Sequence, residues 1–203
     1  HTRYWRDCSS DVCSSDLVLA SDGAALGLLR SVFADEHEIR ELPAYDISYK
    51  SGNMTWGMAR QLPRILRAIR AERAQLDEWL RGGAFTGIIS DNRYGVFSPL
   101  VPSVFITHQL HVRIPLLPLQ WCIRRLNYRW AGRYTHCWVP DLPPPLPALS
   151  GELARPAAPL KNVTYIGELS RLQRPADYTR QPNSVLVLLS GVEPARSHLE
   201  TEL

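Results

Sequence analysis

Lysine is almost missing from this chain: Lys50 and Lys161 are the only two, and arginine supplies the rest of the 23 basic residues. Against 20 acidic residues the formal charge is only +3, too mild for the clustered basic footprint of a nucleic-acid surface. No apolar run approaches the ~20 residues that a bilayer-crossing helix needs. Cysteine is scarce as well, with four in 203 residues. Cys8 and Cys13 lack zinc-ribbon spacing, and no second Cys or His pair follows at a suitable distance. Cys122 and Cys137, the credible pair, fit a reducing compartment without demanding one. No Asp-x-Asp pair stands at an expected strand end, so the pattern offers no metal site. Abundant alanine and proline beside the arginine bias suggest a GC-rich coding sequence more than a function.

The first 17 residues stand apart. Cys8–Leu17 reads CSSDVCSSDL, with Cys-Ser-Ser-Asp twice in close succession. Asp11–Leu17 is the translation of GAC GTG TGC TCT TCC GAT CT, the end of a common sequencing adapter. Residues 1–17 are therefore expected to be an artefactual, disordered leader and are set aside. The remainder carries 21 basic and 17 acidic residues, a formal charge of +4. It begins with Val18-Leu19-Ala20-Ser21-Asp22-Gly23, the tail of a strand running into a helix, and stops in the first turns of a helix at His198–Leu203. The expectation is a piece of a longer gene.

Strands and helices then alternate. Asp22 is the cap candidate for a helix carrying Ala24, Ala25, Leu28 and Leu29. Glu38–Leu42 reads as a strand and Tyr45–Gly52 as a polar loop. Leu62, Ile65, Leu66, Ile69, Leu76, Trp79 and Leu80 fall on one face of a helix over Thr55–Arg81. Pro63 should kink or restart it, Gly82-Gly83 should end it, and its arginines read as a solvated face. Leu116–Trp130 is a second amphipathic helix, with Leu119, Ile123, Leu126 and Trp130 beside Arg124, Arg125 and Arg129. Its Trp121 and Tyr128 leave a membrane-surface patch as the alternative to ordinary sheet packing. Thr135–Val139 and Val163–Ile166 are strands, and the proline-laden span 140–160 is expected to be an extended loop. From Asn183 the pattern restarts. Val185–Leu189 is apolar throughout, as a central parallel strand is, and Ser190-Gly191 then leads to Pro194 at a helix start. Such a turn favours an anion, and equally suits a plain strand-to-helix connection.

The most telling stretch is Gly87–His111, GIISDNRYGVFSPLVPSVFITHQLH. It reads as two buried strands, Phe85–Ser90 and Ser103–Thr107. Polar clusters follow each: Asp91-Asn92-Arg93-Tyr94-Gly95 and His108-Gln109-Leu110-His111. Ligands of open α/β sheets bind beyond the carboxyl ends of parallel strands. Any strand must also end in something soluble, but two clusters of these residue types at one edge favour a site.

The blocks VLASDGAALGLLR, ELPAYDISY, GIISDNRYGVFSPLVPSVFITHQL, CWVPD, NVTYIGELSRL and VLLSGVEPARSHLE together resemble bacterial family 28 glycosyltransferases, the group that includes the peptidoglycan N-acetylglucosaminyltransferase. The resemblance spans nearly all of Val18–Leu203, with SDNRYG, THQL and SG-x-EP-x-R its specific parts. It implies an α/β fold of the GT-B type: a Rossmann-like acceptor domain over 18–182, lacking its first strand, and the beginning of a second, nucleotide-sugar-binding domain over 183–203. It implies acceptor contacts at Asp91, Asn92, Arg93, His108 and Gln109, and donor diphosphate contacts at Ser190 and Gly191. A glycine-rich loop with a histidine, which opens such proteins and would supply the catalytic base, is absent. Val192 and Glu168 stand where relatives often carry proline.

The implied reaction moves a glycosyl group from a nucleoside-diphosphate sugar to an acceptor hydroxyl, a lipid-linked one among the candidates. It calls for no cofactor, no metal and no nucleic acid. The expected location is the cytoplasm, with peripheral contact at the inner membrane face admitted. A nucleotide-sugar epimerase of the same fold and a noncatalytic carbohydrate- or lipid-binding protein remain the alternatives. The chain as written is expected to be inactive.

Overall fold

The computed structural model describes residues 17–45, 54–83, 85–111, 117–156, 158, 160–170, 185, 187 and 195–202. Their order is β1 (Val18–Ser21), α1 (Gly23–Phe33), β2 (Glu38–Glu41), α2 (Met54–Arg81), β3 (Ile88–Asp91), β4 (Ser103–Ile106), α3 (Leu117–Ala131), β5 (His136–Val139), a 3-10 turn at Gly151–Ala154, β6 (Val163–Tyr165) and α4 (Ala195–Glu202). Among the described residues every strand pair is parallel. The architecture is α/β with parallel sheets, compatible with a Rossmann-like fold.

The strands fall into two sheets, β1-β2 and β3-β4-β5-β6. The larger one holds the core: Phe105, Leu110, Ala131, Tyr134, Cys137, Val139 and Ala154 are buried together. Tyr94, Phe105, Trp130 and Tyr134 form its aromatic centre, with ring centroids 4.7 Å apart for Tyr94–Trp130 and 4.8 Å for Phe105–Tyr134. Such pairs add to the gain from buried area alone. Burial pushes the Cys137 thiol up to about 11.

Several elements differ from their sequence expectations. α2 runs unbroken through Pro63, whose side chain is exposed. In α1 the buried residue is Leu26, while Leu28 is 65% exposed. Asp22 stands at the amino cap but makes no capping bond; its carboxylate is turned to Arg93. Gly83, with φ +68, closes α2 as expected.

The proline-laden span is not extended. The side chain of Asp141, 0% exposed, accepts from the backbone N–H groups of Leu142, Leu149 and Ser150 and from the Ser150 hydroxyl. One carboxylate therefore closes the loop into a ring, and the loop then lays Ala154 into the core. Of the expected strand Val185–Leu189, only Val185 and Val187 lie within the described residues. They are 88% and 55% exposed and are assigned to no strand, and the rest of that span lies outside the described residues. Residues 1–16, nearly all of the Tyr45–Gly52 loop, and Pro194 lie outside the described residues.

Candidate functional site

β3 and β4 pair in parallel with Asp91 opposite Ile106, so the segments that follow them leave the sheet at the same carboxyl edge. The ladder continues one step further, with Asn92 N–H donating to the Ile106 carbonyl at 2.9 Å. Asn92 then turns the chain at φ 54, a left-handed conformation that asparagine tolerates better than most residues. Its side-chain oxygen accepts from the Thr107 hydroxyl at 3.1 Å, and the same hydroxyl oxygen accepts from Gln109 N–H at 3.1 Å. Thr107 thus ties the two strand ends directly together.

The second loop is supported from below by α3. Asn127, 5% exposed, donates from its side-chain nitrogen to the carbonyls of Gln109 and Leu110 at 2.9 and 3.3 Å. Its oxygen accepts from the Tyr94 hydroxyl at 2.8 Å, and burial pushes that phenol up to about 12, which keeps it a donor. Asp91, Asn92, His108 and Gln109 are left exposed. The His108 ring lies beside the Gln109 amide at 3.4 Å. His111 is half-buried and its ring stands 3.4 Å from the Gln120 amide.

Arg93 is placed differently from its four companions. Its Nε donates to Glu72 at 2.5 Å, one Nη to Asp22 at 2.8 Å, and the other to the Pro43 carbonyl at 2.7 Å. Tyr45 lies under the guanidinium, 5.0 Å from ring centroid to carbon. The Arg93 carbonyl accepts from Ser90 Oγ and from the Tyr134 hydroxyl, each at 2.7 Å. The residue joins the ends of β1, β2 and β3 to α2, so its charge serves the framework behind the exposed edge.

Glu72 completes this junction. It is 0% exposed, accepts from the Tyr45 hydroxyl at 2.5 Å and from Gly95 N–H at 3.2 Å, and pairs with Arg93. Burial pushes its carboxyl above the usual range, outweighing the opposing pull of Tyr45, Arg93 and Gly95. Loss of water around the phenol, with Glu72 beside it, drives Tyr45 up too. Gly95 has to be glycine: a Cβ there would stand 2.5 Å from the Ile69 carbonyl and 2.6 Å from Glu72 Oε2. Nothing in the sequence reading marked Glu72. The signal was the gap between Ile69 and Leu76 on the buried stripe of α2, where a carboxylate takes an apolar residue's place. Arg73, expected in the solvated face, instead stacks over Phe97 at 4.4 Å and pairs with Asp77 at 3.0 Å.

Chemically, the exposed edge offers an imidazole, two carboxamides and a carboxylate within two adjacent loops. Together these groups can accept and donate hydrogen bonds to a polyhydroxylated ligand. Ser190 and Gly191 lie outside the described residues. Among the described residues no group of three or more His, Cys, Asp or Glu is placed to hold a metal ion, and no helix is long and apolar enough to cross a membrane. Compared with protein-family models, curated proteins and solved structures, the chain matches none.

Proposed function

We propose that the chain is the acceptor-side part of a glycosyltransferase of the GT-B type, which moves a sugar from a nucleoside diphosphate to an acceptor hydroxyl. The observation that supports this reading best is the joined edge of β3 and β4. There Asp91, Asn92, His108 and Gln109 are exposed side by side on loops that Thr107, Asn127 and Tyr94 hold from behind. Polar side chains on a braced edge suit a ligand that must be oriented. In this reading Asn92 and Gln109 hold acceptor hydroxyls, and His108 and Asp91 face the hydroxyl that reacts. Arg93 keeps the edge in place from behind. Ser190 and Gly191 would meet the donor diphosphate, and a lipid-linked acceptor would bring the protein to the inner face of the membrane.

The test is transfer of labelled sugar from nucleotide-sugars to a panel of lipid-linked and soluble acceptors, using the protein carrying a complete second domain. His108→Ala should lower transfer at least about tenfold while moving stability by no more than about 0.5 kcal/mol, the ordinary cost of a surface change. Full activity in that variant removes His108 from the site. Sugar interconversion without transfer would favour an epimerase, and binding without turnover a carbohydrate-binding protein.

A further inference from the structure

Arginines in two parts of the chain meet different surroundings. Arg30, Arg40, Arg73 and Arg93 each pair with a carboxylate. Arg124, Arg125, Arg129 and Arg133 have no acidic partner among the described residues. The local sequence offers them none, since no Asp or Glu stands between Asp91 and Asp141.

The unpaired charges gather on the outer side of α3. Its inward side is marked by Asn127 and, one turn on, Ala131, both buried. Trp121, Arg125 and Arg129 follow one another at four-residue spacing and are all exposed, so they form one ridge along the helix. Arg133 is exposed just past the helix end. Like charges four residues apart on a helix repel, a local cost that an acidic partner would reverse. Two of the cations are already seated on aromatic rings. The Arg125 guanidinium carbon lies 5.6 Å from the Trp121 ring centre, and that of Arg133 lies 5.6 Å from Phe97. A stacked arginine keeps its donors for a carboxylate and loses less freedom on binding one.

We infer that the outer ridge of α3 is a docking surface for an acidic helix of a partner protein, with Trp121 as its apolar anchor. Glutamates four residues apart on such a helix repeat at the pitch of Arg125 and Arg129. Tryptophan and arginine are the side chains that most often dominate contacts of this kind. The surface is separate from the β3–β4 edge. Asn127 carries the Gln109–Leu110 loop, and Arg125 and Arg129, two residues to either side of it, point about 200° away. An anionic membrane fits the ridge less well. A helix lying in a membrane surface turns an apolar face outward, whereas Ile123, Leu126 and Trp130 are half-buried. Among the described large apolar side chains of α3 only Trp121 is exposed.

The test titrates the full chain with an alanine-based helical peptide carrying glutamate at every fourth position and leucine at both ends. Binding is followed by amide chemical shifts and calorimetry, and the shifts should concentrate between Trp121 and Arg133. Affinity should fall at least about tenfold when Arg125→Glu and Arg129→Glu are combined, which sets like charges face to face. Trp121→Ala should cost at least about fivefold. Both variants should keep the circular dichroism of wild type, because the exchanged side chains are exposed. A peptide of the same composition, with its glutamates spread round the helix, should bind at least about tenfold more weakly. Equal affinity for the two peptides overturns the ridge, as does full affinity in the charge-reversed variant. Absence of binding at millimolar peptide overturns it as well. Phosphatidylglycerol vesicles that shift the same amides, where the peptide does not, overturn it in favour of a membrane surface.

Discussion

Glu72 and Asp141 are both 0% exposed carboxylates, yet their acidities move in opposite directions. Glu72 lies deep on the buried face of α2, and its donors come from residues 45, 93 and 95. There the loss of water outweighs the bonds, and the carboxyl rises. Asp141 is sealed from water by its own loop and sits shallow in the molecule. Burial acts against its charge as well, but four short-range donors prevail and hold the carboxyl below the usual range. Accessibility alone therefore says little about a buried charge. What decides is how much protein lies around it and how many donors its own loop supplies.

The sharpest way to break the comparison is Arg93→Ala. It leaves Glu72 buried without its ionic partner, and truncating one member of such a pair costs about 3–5 kcal/mol. Urea unfolding measures the loss, and combining the change with Glu72→Met should cost less than the two single losses added. A strictly additive double variant would show that the pair is not coupled.

Gly95→Ala comes next. Its methyl group would meet the Ile69 carbonyl and Glu72, and overpacking of this kind costs about 1–3 kcal/mol. A fully stable variant would mean that the loop can step back from α2.

Acid sharpens the contrast between the two carboxylates. Asp141 has a depressed pKa, so its stabilisation is present above the ordinary aspartate value of about 3.9 and fades as pH falls through its folded value. Wild type should lose its advantage over Asp141→Asn as pH drops below about 4, in thermal melts followed by circular dichroism. Glu72, being raised, contributes with the opposite sign: its ionisation costs stability as pH climbs above about 4.3. Arg93→Ala should steepen that decline. Parallel profiles for wild type and both variants would refute the assignment.

The smallest effect is expected at Tyr94→Phe, which removes the hydroxyl that fixes Asn127. About 1 kcal/mol is a fair cost for one such bond. Chemical shifts of Gln109 and Leu110 amides should move with it, because Asn127 carries their carbonyls.

Most of the alternation was legible in the sequence, since Val18–Ser21, Ile88–Asp91, Ser103–Ile106, His136–Val139 and Val163–Tyr165 are short apolar runs ended by polar or glycine residues. The shared edge of β3 and β4 was legible for the same reason. The roles of Arg93 and Asp141 were not. Arg93 sits in a polar cluster with Asp91 and Asn92, and only the return of Asp22, Pro43 and Glu72 from distant parts of the chain sets it inward. Asp141 stands among prolines that suggested an extended path, whereas its ring of donors depends on the loop already being closed. Patterns of period and composition report local preference, and both residues are fixed by what comes back to meet them.

The junction at Arg93 has a kinetic consequence. It gathers residues 22, 43, 45 and 72, so it closes only after long stretches of chain have been ordered, and long loops slow such closure. The β3–β6 core joins nearer neighbours and should assemble earlier on the folding path. Arg93→Ala would then accelerate unfolding while leaving the refolding rate nearly unchanged, as for contacts absent from the transition state. The same arginine that aligns the two sheets would thus act as the latch that sets how long they stay aligned.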